Sequence, residues 1–311
     1  MRSTVGDKDA GRRLCEYLAS RFTYHTGSEW ARLVADGRVC LHGSPAAAEA
    51  VLRAGDEVCY DASGIPEPPA DEAVDVVVDD PLFYAMNKSG NLTCHPGGRY
   101  FNRTLWALLK TRYGLAEPIL VNRIDRETSG LVLVGKTPEA AQNLWKQFAG
   151  HTVVKRYTVF VEGVFPARVE AEGWLSKDAA SAIRKKRGFA PAERGGAAPC
   201  AGAEWCETSF ERVRVAGGFS VVTALPRTGR LHQIRATLLS LGYPVVGDKL
   251  YGVDEALFLR FCQDALTEED RQRLRLRRQA LHAGYLRFRH PGSGELTELV
   301  APLPPDMAAL L

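Results

Sequence analysis

The sequence has no apolar run that approaches the roughly 18 residues needed to span a membrane. Its N-terminus lacks an apolar stretch after the first basic residue, so we expect no secretory signal. Seven cysteines form an odd set without a C-x-x-C pair, which argues against a disulfide framework or a closed zinc site and indicates a reducing environment. Dinucleotide-binding, P-loop and zinc-protease motifs are also missing.

Length and charge set broad limits on what remains. A chain of 311 residues is long for one core and suggests about two domains. The net charge of +3 is only mildly basic and gives weak support for nucleic-acid binding. Any such affinity must therefore come from where the basic residues lie.

Residues 1–62 have the pattern of two short helices followed by a hairpin. Leu14, Tyr17 and Leu18 have the spacing of one helix face, and Ser28 is predicted to cap a second helix over residues 28–34. This order resembles the alpha-L RNA-binding module. Because basic and acidic residues nearly cancel in this segment, a small domain that only packs or positions is the alternative.

A proline-rich, acidic segment over residues 63–73 follows this module. Its three prolines remove backbone donors and favour extended chain, so we predict a semi-rigid linker there. Residues 74–311 contain clustered strand patterns without regular strand–helix alternation. We therefore predict an α+β fold with a central mixed, mainly antiparallel sheet flanked by helices. One helix is predicted to begin at Pro138 and to carry Ala141, Leu144, Trp145 and Phe148 on one face.

Asp125 follows the apolar run 119–121 and precedes the turn 128–130, which leads into another strand. A carboxylate on such a loop is held rigidly and can face a cleft. Arg123 and Arg126 flank Asp125 and favour its ionised form, which can serve as nucleophile or base. An aspartate between arginines is also a common structural ion pair, so this segment alone does not decide its role.

A second group of basic residues surrounds the predicted start of a helix near residue 233. Its members are Arg227, Arg230, His232 and Arg235. A helix N-terminus favours anions, and guanidinium groups add bidentate contacts to phosphate or carboxylate. The basic run 184–187 is a further candidate phosphate contact, although most charge runs are solvated surface.

Several segments resemble the RluA family of RNA pseudouridine synthases, in the family's order and across nearly all of residues 74–304. Residues 122–130 resemble its catalytic motif and residues 155–163 its Lys-x-Tyr strand. Residues 228–235, 241–251 and 281–291 match its C-terminal motifs. Two positions depart from the family: Asn122 stands where His is usual, and Lys88-Ser89-Gly90 replaces Lys-Pro-x-Gly. We expect both loops to line the approach to the cleft.

The resemblance implies isomerisation of uridine to pseudouridine in structured RNA, with ribosomal RNA as the expected substrate. It implies Asp125 as nucleophile or as base at the ribose, Arg235 as its ion-pair partner, and Tyr157 as the residue stacked on uracil. Because bond breaking is balanced by bond making, no cofactor or metal is expected. The residues expected to bind substrate are Arg123, Lys155, Arg227, Arg230 and His232.

Other readings of the same residues remain open. The chemistry could act on transfer RNA, or the fold could serve a non-catalytic RNA-binding or ribosome-assembly factor. A glycosidase that releases free base would need a second acid, and the sequence offers no convincing partner carboxylate. We expect a cytoplasmic monomer that contacts RNA and no membrane.

Overall fold

The computed structural model of the protein describes residues 2–22, 25–63 and 66–311. Contacts divide the chain into two compact units: a first unit of Met1–Pro69 with His95–Ala107, and a second unit of Ala70–Cys94 with Leu108–Leu311. The predicted linker 63–73 includes Gly64 and Ile65, which lie outside the described residues. Across the described ranges, no helix combines the length and apolarity that crossing a membrane would require.

The first unit contains a small antiparallel sheet and two short helices. Its strands are β1 (Arg2–Thr4), β2 (Val39–Leu41), β3 (Ser44–Pro45) and β4 (Glu57–Tyr60), and they pair in the order β1-β4-β2-β3. A 3-10 turn at Asp7–Asp9 precedes helices α1 (Leu14–Arg21) and α2 (Gly27–Ala35). Leu14, Tyr17 and Leu18 are buried in the core of this unit, as their spacing predicts.

Helix α2 begins differently from the prediction. Thr26 is its N-cap, because the Thr26 hydroxyl accepts the backbone N–H of Glu29 at 3.2 Å. The Glu29 carboxylate in turn accepts the backbone N–H of Thr26 at 2.7 Å. This capping box satisfies two N–H groups at once. The predicted Ser28 cap was therefore wrong, since the Thr-x-x-Glu spacing is the stronger signal.

The segment His95–Ala107 also belongs to the first unit, whereas the sequence-based division put it in residues 74–311. One carboxylate holds its turn: Glu67 accepts the backbone N–H groups of Phe101, Asn102 and Arg103 at 3.0, 2.7 and 3.0 Å. Three N–H donors stabilise the ionised carboxylate, and together they lower the pKa of Glu67 although burial opposes this.

The strands of the second unit form one sheet, eleven-stranded in the described residues. They are β5 (Val74–Asp79), β6 (Phe83–Lys88), β7 (Ile119–Leu120), β8 (Ser129–Gly135), β9 (Val154–Glu162), β10 (Arg168–Lys177), β11 (Arg187–Pro191), β12 (Glu204–Ala216), β13 (Phe219–Pro226), β14 (Leu281–Arg289) and β15 (Leu296–Val300). The order is β11-β10-β12-β13-β9-β14-β8-β6-β5, with β7 beside β8 and β15 beside β14. Only β8 and β14 pair in parallel among these described strands, which confirms the predicted mixed, mainly antiparallel sheet.

The remaining helices connect or flank these strands. They are α3 (Leu105–Thr111), α4 (Pro138–Ala149), α5 (Gln233–Ser240), α6 (Ala256–Cys262), α7 (Glu268–Leu274) and α8 (Pro305–Ala308). Helix α4 begins at Pro138, as predicted, and buries Ala141 and Leu144. Trp145 lies on the predicted apolar face but is 46% exposed, and its indole N–H donates to the Leu120 carbonyl at 3.3 Å.

The parallel pair of β8 and β14 fixes the end of the loop that carries Asp125. Gly130 lies opposite Ala283 and has a φ of 117°. A Cβ at Gly130 would lie 2.3 Å from the Ala283 carbonyl oxygen, so any side chain would separate the two strands. One residue earlier, the Ser129 hydroxyl lies 2.9 Å from Nδ1 of the buried His282, which ties the same strands together.

Candidate active site

A pocket of about 110 Å³ opens where the loop 123–128, strand β9 and the segment 226–235 meet. The structure brings most of the predicted site residues to its lining: Arg123, Asp125, Lys155, Tyr157, Arg230, His232 and Arg235. Arg227 is the predicted site residue that does not line it. Throughout the part of the chain that the structure describes, no group of three or more His, Cys, Asp and Glu could hold a metal ion.

Arg235 joins two carboxylates beneath the pocket. Its Nη1 donates to Oδ2 of Asp125 at 2.8 Å, while Nε and Nη2 donate to the two oxygens of Asp248 at 2.6 and 2.9 Å. Burial alone would raise the pKa of Asp125, but the Arg235 guanidinium outweighs it and holds that pKa below the usual range. Asp125 is therefore ionised at neutral pH, with Oδ2 engaged by Arg235.

The loop 247–252 holds Asp248 in place. Oδ1 of Asp248 accepts the backbone N–H groups of Leu250 and Tyr251, both at 2.9 Å. Gly247 enters this loop with a φ of 74°, and a Cβ there would lie 2.1 Å from the Arg278 carbonyl oxygen. Both carboxylate oxygens of the fully buried Asp248 therefore accept hydrogen bonds. These bonds offset part of the free-energy cost of removing the carboxylate from water.

His232 faces Asp125 from the start of helix α5. Its Nδ1 lies 2.9 Å from the Tyr251 hydroxyl, which itself accepts the backbone N–H of Arg187 at 2.8 Å. The single hydroxyl hydrogen of Tyr251 is then free to donate to Nδ1, which leaves the imidazole proton on Nε2. Burial lowers the pKa of His232 to about 4, so the ring is neutral at pH 7.

His232 and Asp125 face each other in the pocket without a hydrogen bond between them. Nε2 of His232 is 3.9 Å from Oδ1 of Asp125, which is too long for a hydrogen bond. A neutral imidazole also makes no ion pair at that distance. His232 has a φ of 58°, a left-handed conformation that costs energy for a residue with a side chain. The Nε2–H of His232 therefore lies near Oδ1 of Asp125 without a hydrogen bond to it.

Tyr157 forms another wall of the pocket. Burial and the nearby charge of Asp125 raise its pKa to about 12, so the phenol is neutral at physiological pH. It lies on β9, where alternate residues point to the same face of the sheet, and Lys155 precedes it by two. Both side chains therefore reach the pocket from one strand.

The basic residues near the rim differ in what they contact. Arg123 is exposed at the pocket and, within the described residues, has no ion-pair partner. Arg230 lies 3.4 Å from a Glu204 carboxylate oxygen and donates to the Trp205 carbonyl at 3.2 Å. Arg227 is 73% exposed and lies 3.6 Å from a carboxylate oxygen of the buried Glu207. Arg123 is therefore the guanidinium most available to a ligand.

The residues of the basic run 184–187 also differ in what they contact. Lys186 contacts the carboxylates of Glu255 at 2.6 Å and Asp178 at 3.8 Å, and Arg187 begins β11. Arg184 and Lys185 are exposed. Carboxylates therefore engage Lys186, whereas Arg184 and Lys185 are exposed to an anionic ligand.

The two departures from the family pattern have structural explanations. The amide of Asn122 donates to the Leu131 carbonyl at 3.3 Å and accepts the Leu133 N–H at 2.8 Å, so it joins its loop to β8. The Ser89 hydroxyl donates to the Asp71 carbonyl. Neither side chain lines the pocket, although the loop of Asn122 reaches it through Arg123. Of the two loops expected to line the approach to the cleft, the loop of Asn122 reaches the pocket, whereas residues 88–90 are not among its lining.

Three polar residues of the site had no role in the sequence-based prediction. Asp248 and Tyr251 lie in a matched motif, but only the fold shows that they hold Arg235 and His232. Gln279 is buried, donates to the Thr128 hydroxyl at 2.6 Å and helps to lower the pKa of Asp125. The sequence signal that could have identified Gln279 is its position as a polar residue just before the apolar strand β14.

The chain is similar to proteins described as RNA pseudouridine synthases. Residues 83–240 match the model of a family described as RNA pseudouridylate synthase. A Bacillus subtilis protein described as uncharacterized RNA pseudouridine synthase YlyB is 30% identical, over 99% of this chain and 96% of that protein. Ribosomal large subunit pseudouridine synthase D of Zymomonas mobilis is 29% identical, over 99% and 95%.

Two further proteins extend the comparison. The mitochondrial tRNA pseudouridine(32) synthase of Saccharomyces cerevisiae is 30% identical over 78% of this chain, but over only 51% of its own length. The solved structure of human RNA pseudouridylate synthase domain containing 1 covers 79% of this chain and 90% of its own, with a TM-score of 0.59 and 25% identity.

Proposed function

The chain belongs to the RNA pseudouridylate synthase family, and we propose that the uridines it isomerises lie in ribosomal RNA. The enzyme is an isomerase: it replaces the N1–C1′ bond of uridine by a C5–C1′ bond without a net change of atoms or electrons. The relative from Zymomonas mobilis, which is named for the ribosomal large subunit and matches along nearly the whole chain, supports this substrate.

Asp125 is the proposed catalytic group, acting either as nucleophile or as base at the ribose. The observation that carries this assignment is the 2.8 Å hydrogen bond from Arg235 to a carboxylate that lines the pocket. The bond engages Oδ2 and keeps Asp125 ionised, as either role requires. Tyr157, on the wall of the same pocket, is proposed to stack on the uracil.

The target base must leave its stack to enter a pocket of this size, at a cost of a few kcal/mol. We propose that the displaced RNA backbone or the neighbouring base binds at the rim of the pocket. Arg123 lies there and has no competing ion pair among the described residues. His232 and Arg230 also line the pocket and are proposed to contact the nucleotide. Arg227, which is turned to Glu207, stays a prediction as a more distant RNA contact.

The first unit is proposed to bind RNA as an alpha-L module. Two helices lie between β1 and the strands β2 to β4 of its small antiparallel sheet, and this combination supports the assignment. Its nearly balanced charge means that shape and a few exposed arginines, not bulk charge, would have to provide the contact. We further propose a cytoplasmic monomer, and the seven unpaired cysteines agree with a reducing location.

Transfer RNA is the second candidate substrate. The yeast relative named for a transfer RNA site supports it, although this chain spans only about half of that protein. Mapping pseudouridines across all cellular RNA after deletion of the gene separates the two substrates. Loss of a ribosomal site supports the proposal, and loss confined to transfer RNA overturns it.

Asp125→Asn tests the mechanism, because it keeps the shape of the side chain and removes its charge. We expect the variant to fold and to bind RNA as the wild type does, while single-turnover formation of pseudouridine falls by at least about 10³-fold. Carbodiimide labelling followed by primer extension measures the product.

Asp79→Asn is the matched control, since Asp79 is an exposed carboxylate at the end of β5 and is expected to be neutral for activity. Normal product from Asp125→Asn would contradict the assignment of Asp125. Release of free uracil by the wild type would indicate a glycosidase, and RNA binding without any product would indicate a non-catalytic factor.

A further inference from the structure

Lys155 is a buried cation in the pocket. The residue is 9% exposed and lies on β9, two positions before Tyr157 and on the same face of the sheet. Its ammonium donates to the backbone carbonyls of Arg227 and Thr228 at 3.3 and 3.1 Å. An ammonium group has three N–H donors, so these two acceptors leave one N–H for a ligand.

The charge of Lys155 is not neutralised, in contrast to that of Arg235. Arg235 contacts the carboxylates of Asp125 and Asp248, whereas within the described ranges no carboxylate lies within ion-pair distance of Lys155. Burial lowers the pKa of Lys155 to about 8, and no neighbouring charge offsets that cost. A buried cation without a counter-ion lowers the energy of an anion that forms beside it.

The proposed reaction generates such an anion. When the N1–C1′ bond breaks, its electron pair stays on the uracil and spreads to the two ring carbonyl oxygens. Asp125 acts at the ribose and is regenerated unchanged, while the uracil turns and C5 forms the new bond to C1′. C5 then loses its proton and N1 gains one. The product therefore has the same atoms and electrons as uridine, and no other reactant is needed.

We propose that the Lys155 ammonium stabilises the departing uracil anion by donating its free N–H to a carbonyl oxygen of the base. This inference rests on the proposed function and adds a catalytic residue to the same pocket. Uracil stacked on Tyr157 would extend along β9, where Lys155 is the next side chain on that face. The interaction strengthens as charge develops on the base, so it accelerates bond cleavage more than it favours binding.

Two other roles for Lys155 make different predictions. As a clamp for the segment 226–229, it would need only N–H donors for the two carbonyls, and charge would not matter. As a contact to an RNA phosphate, it would contribute to affinity and to the salt dependence of binding. Its low exposure, compared with that of Arg123 at the rim, argues against a phosphate contact.

Lys155→Gln separates these roles, because glutamine retains two amide N–H donors and lacks the charge. We expect it to bind target RNA with the wild-type Kd and salt dependence, while single-turnover pseudouridine formation at saturating enzyme falls about 10²-fold or more. Lys155→Arg restores the charge and is expected to recover part of the rate. Lys146→Gln, which removes an exposed lysine of α4, is the matched control.

Each other outcome overturns the proposal. A wild-type rate in Lys155→Gln would leave Lys155 as a clamp. A weaker Kd, with a slope of log K against log salt reduced by about 0.7 to 0.9, would indicate a phosphate contact. An equal loss of rate in the Arg and Gln variants would show that charge is not the cause. Absence of pseudouridine from wild-type reactions would instead reject the proposed function itself.

Discussion

An ion pair of the first unit that lies in solvent contrasts with one of the second unit that lies beneath the surface. Arg13 and Glu49 form an ion pair with side chains that are 61% and 72% exposed. Arg235 and Asp248 do so with side chains that are 9% and 0% exposed. A buried pair loses hydration that only good geometry recovers, and Asp248 meets that condition by accepting a guanidinium N–H on each oxygen.

The difference shows where the fold requires charge. Exposed pairs contribute little to stability and are compatible with many substitutions. Buried ionisable groups with strongly shifted pKa values concentrate instead at functional sites. In this protein the buried set surrounds Asp125, whose ionised form the proposed reaction needs. Removing a charge from this buried set should therefore have a large effect, and removing one from an exposed pair of the first unit should have a small effect.

The largest effect is expected for Asp248→Asn. The substitution leaves Arg235 buried with Asp125 as its remaining carboxylate partner in the site. We expect the free energy of unfolding to fall by about 3 kcal/mol, because a buried guanidinium loses half of its counter-charge. Denaturation in urea measures this change. A decrease of less than about 0.5 kcal/mol in the free energy of unfolding would mean that the buried pair contributes no more to stability than an exposed one.

An intermediate effect is expected for Tyr251→Phe. The substitution removes the hydroxyl that bonds Nδ1 of His232 and the backbone N–H of Arg187. We expect a loss of about 1 to 2 kcal/mol in unfolding free energy, and single-turnover pseudouridine formation about tenfold slower, because His232 is no longer fixed toward Asp125.

Tyr17→Phe in the first unit is the control for this comparison. It removes a hydroxyl that lies 3.0 Å from Oγ of Ser3 in a similarly buried position. The stability loss should be about 1 kcal/mol, with an unchanged single-turnover rate. Equal single-turnover rates for Tyr251→Phe and Tyr17→Phe would show that the hydrogen bond between Tyr251 and His232 does not affect the reaction.

The smallest effect is expected for Glu49→Gln. The substitution removes the charge that pairs with Arg13 on the surface of the first unit. The unfolding free energy should change by no more than about 0.5 kcal/mol, since solvent and salt already screen the pair. A loss comparable to that of Asp248→Asn would contradict the contrast between the two units.

Local signals predicted much of the fold. The proline at 138 marks the start of α4, and the apolar runs 82–86, 131–134, 157–161 and 219–225 predict strands that overlap β6, β8, β9 and β13. The failures were also local in origin. Ser28 was chosen as a cap although Thr26 and Glu29 have the capping-box spacing. Trp145 was placed on the apolar face of α4 by periodicity, which does not register how much of each side chain stays exposed.

The candidate site was predictable where a residue's role follows from its own type and motif. Asp125, Tyr157 and Arg235 were identified in this way, and the structure brings them to one pocket. The orientation of Arg227 was not predictable, because it depends on a carboxylate twenty positions away in sequence, Glu207 on β12. The partner of Asn122 was equally hidden, since its two hydrogen bonds reach across to β8.

By itself the sequence determined the family, the order of the motifs and the carboxylate at position 125, because these depend on residue identity along the chain. The tertiary structure decided which charged side chains have oppositely charged partners. It gave Arg235 a second carboxylate from the loop 247–252, turned His232 toward Asp125 through Tyr251, and left Lys155 with carbonyl contacts alone. Electrostatic effects depend on distance and burial, which are fixed only when residues far apart in sequence pack together.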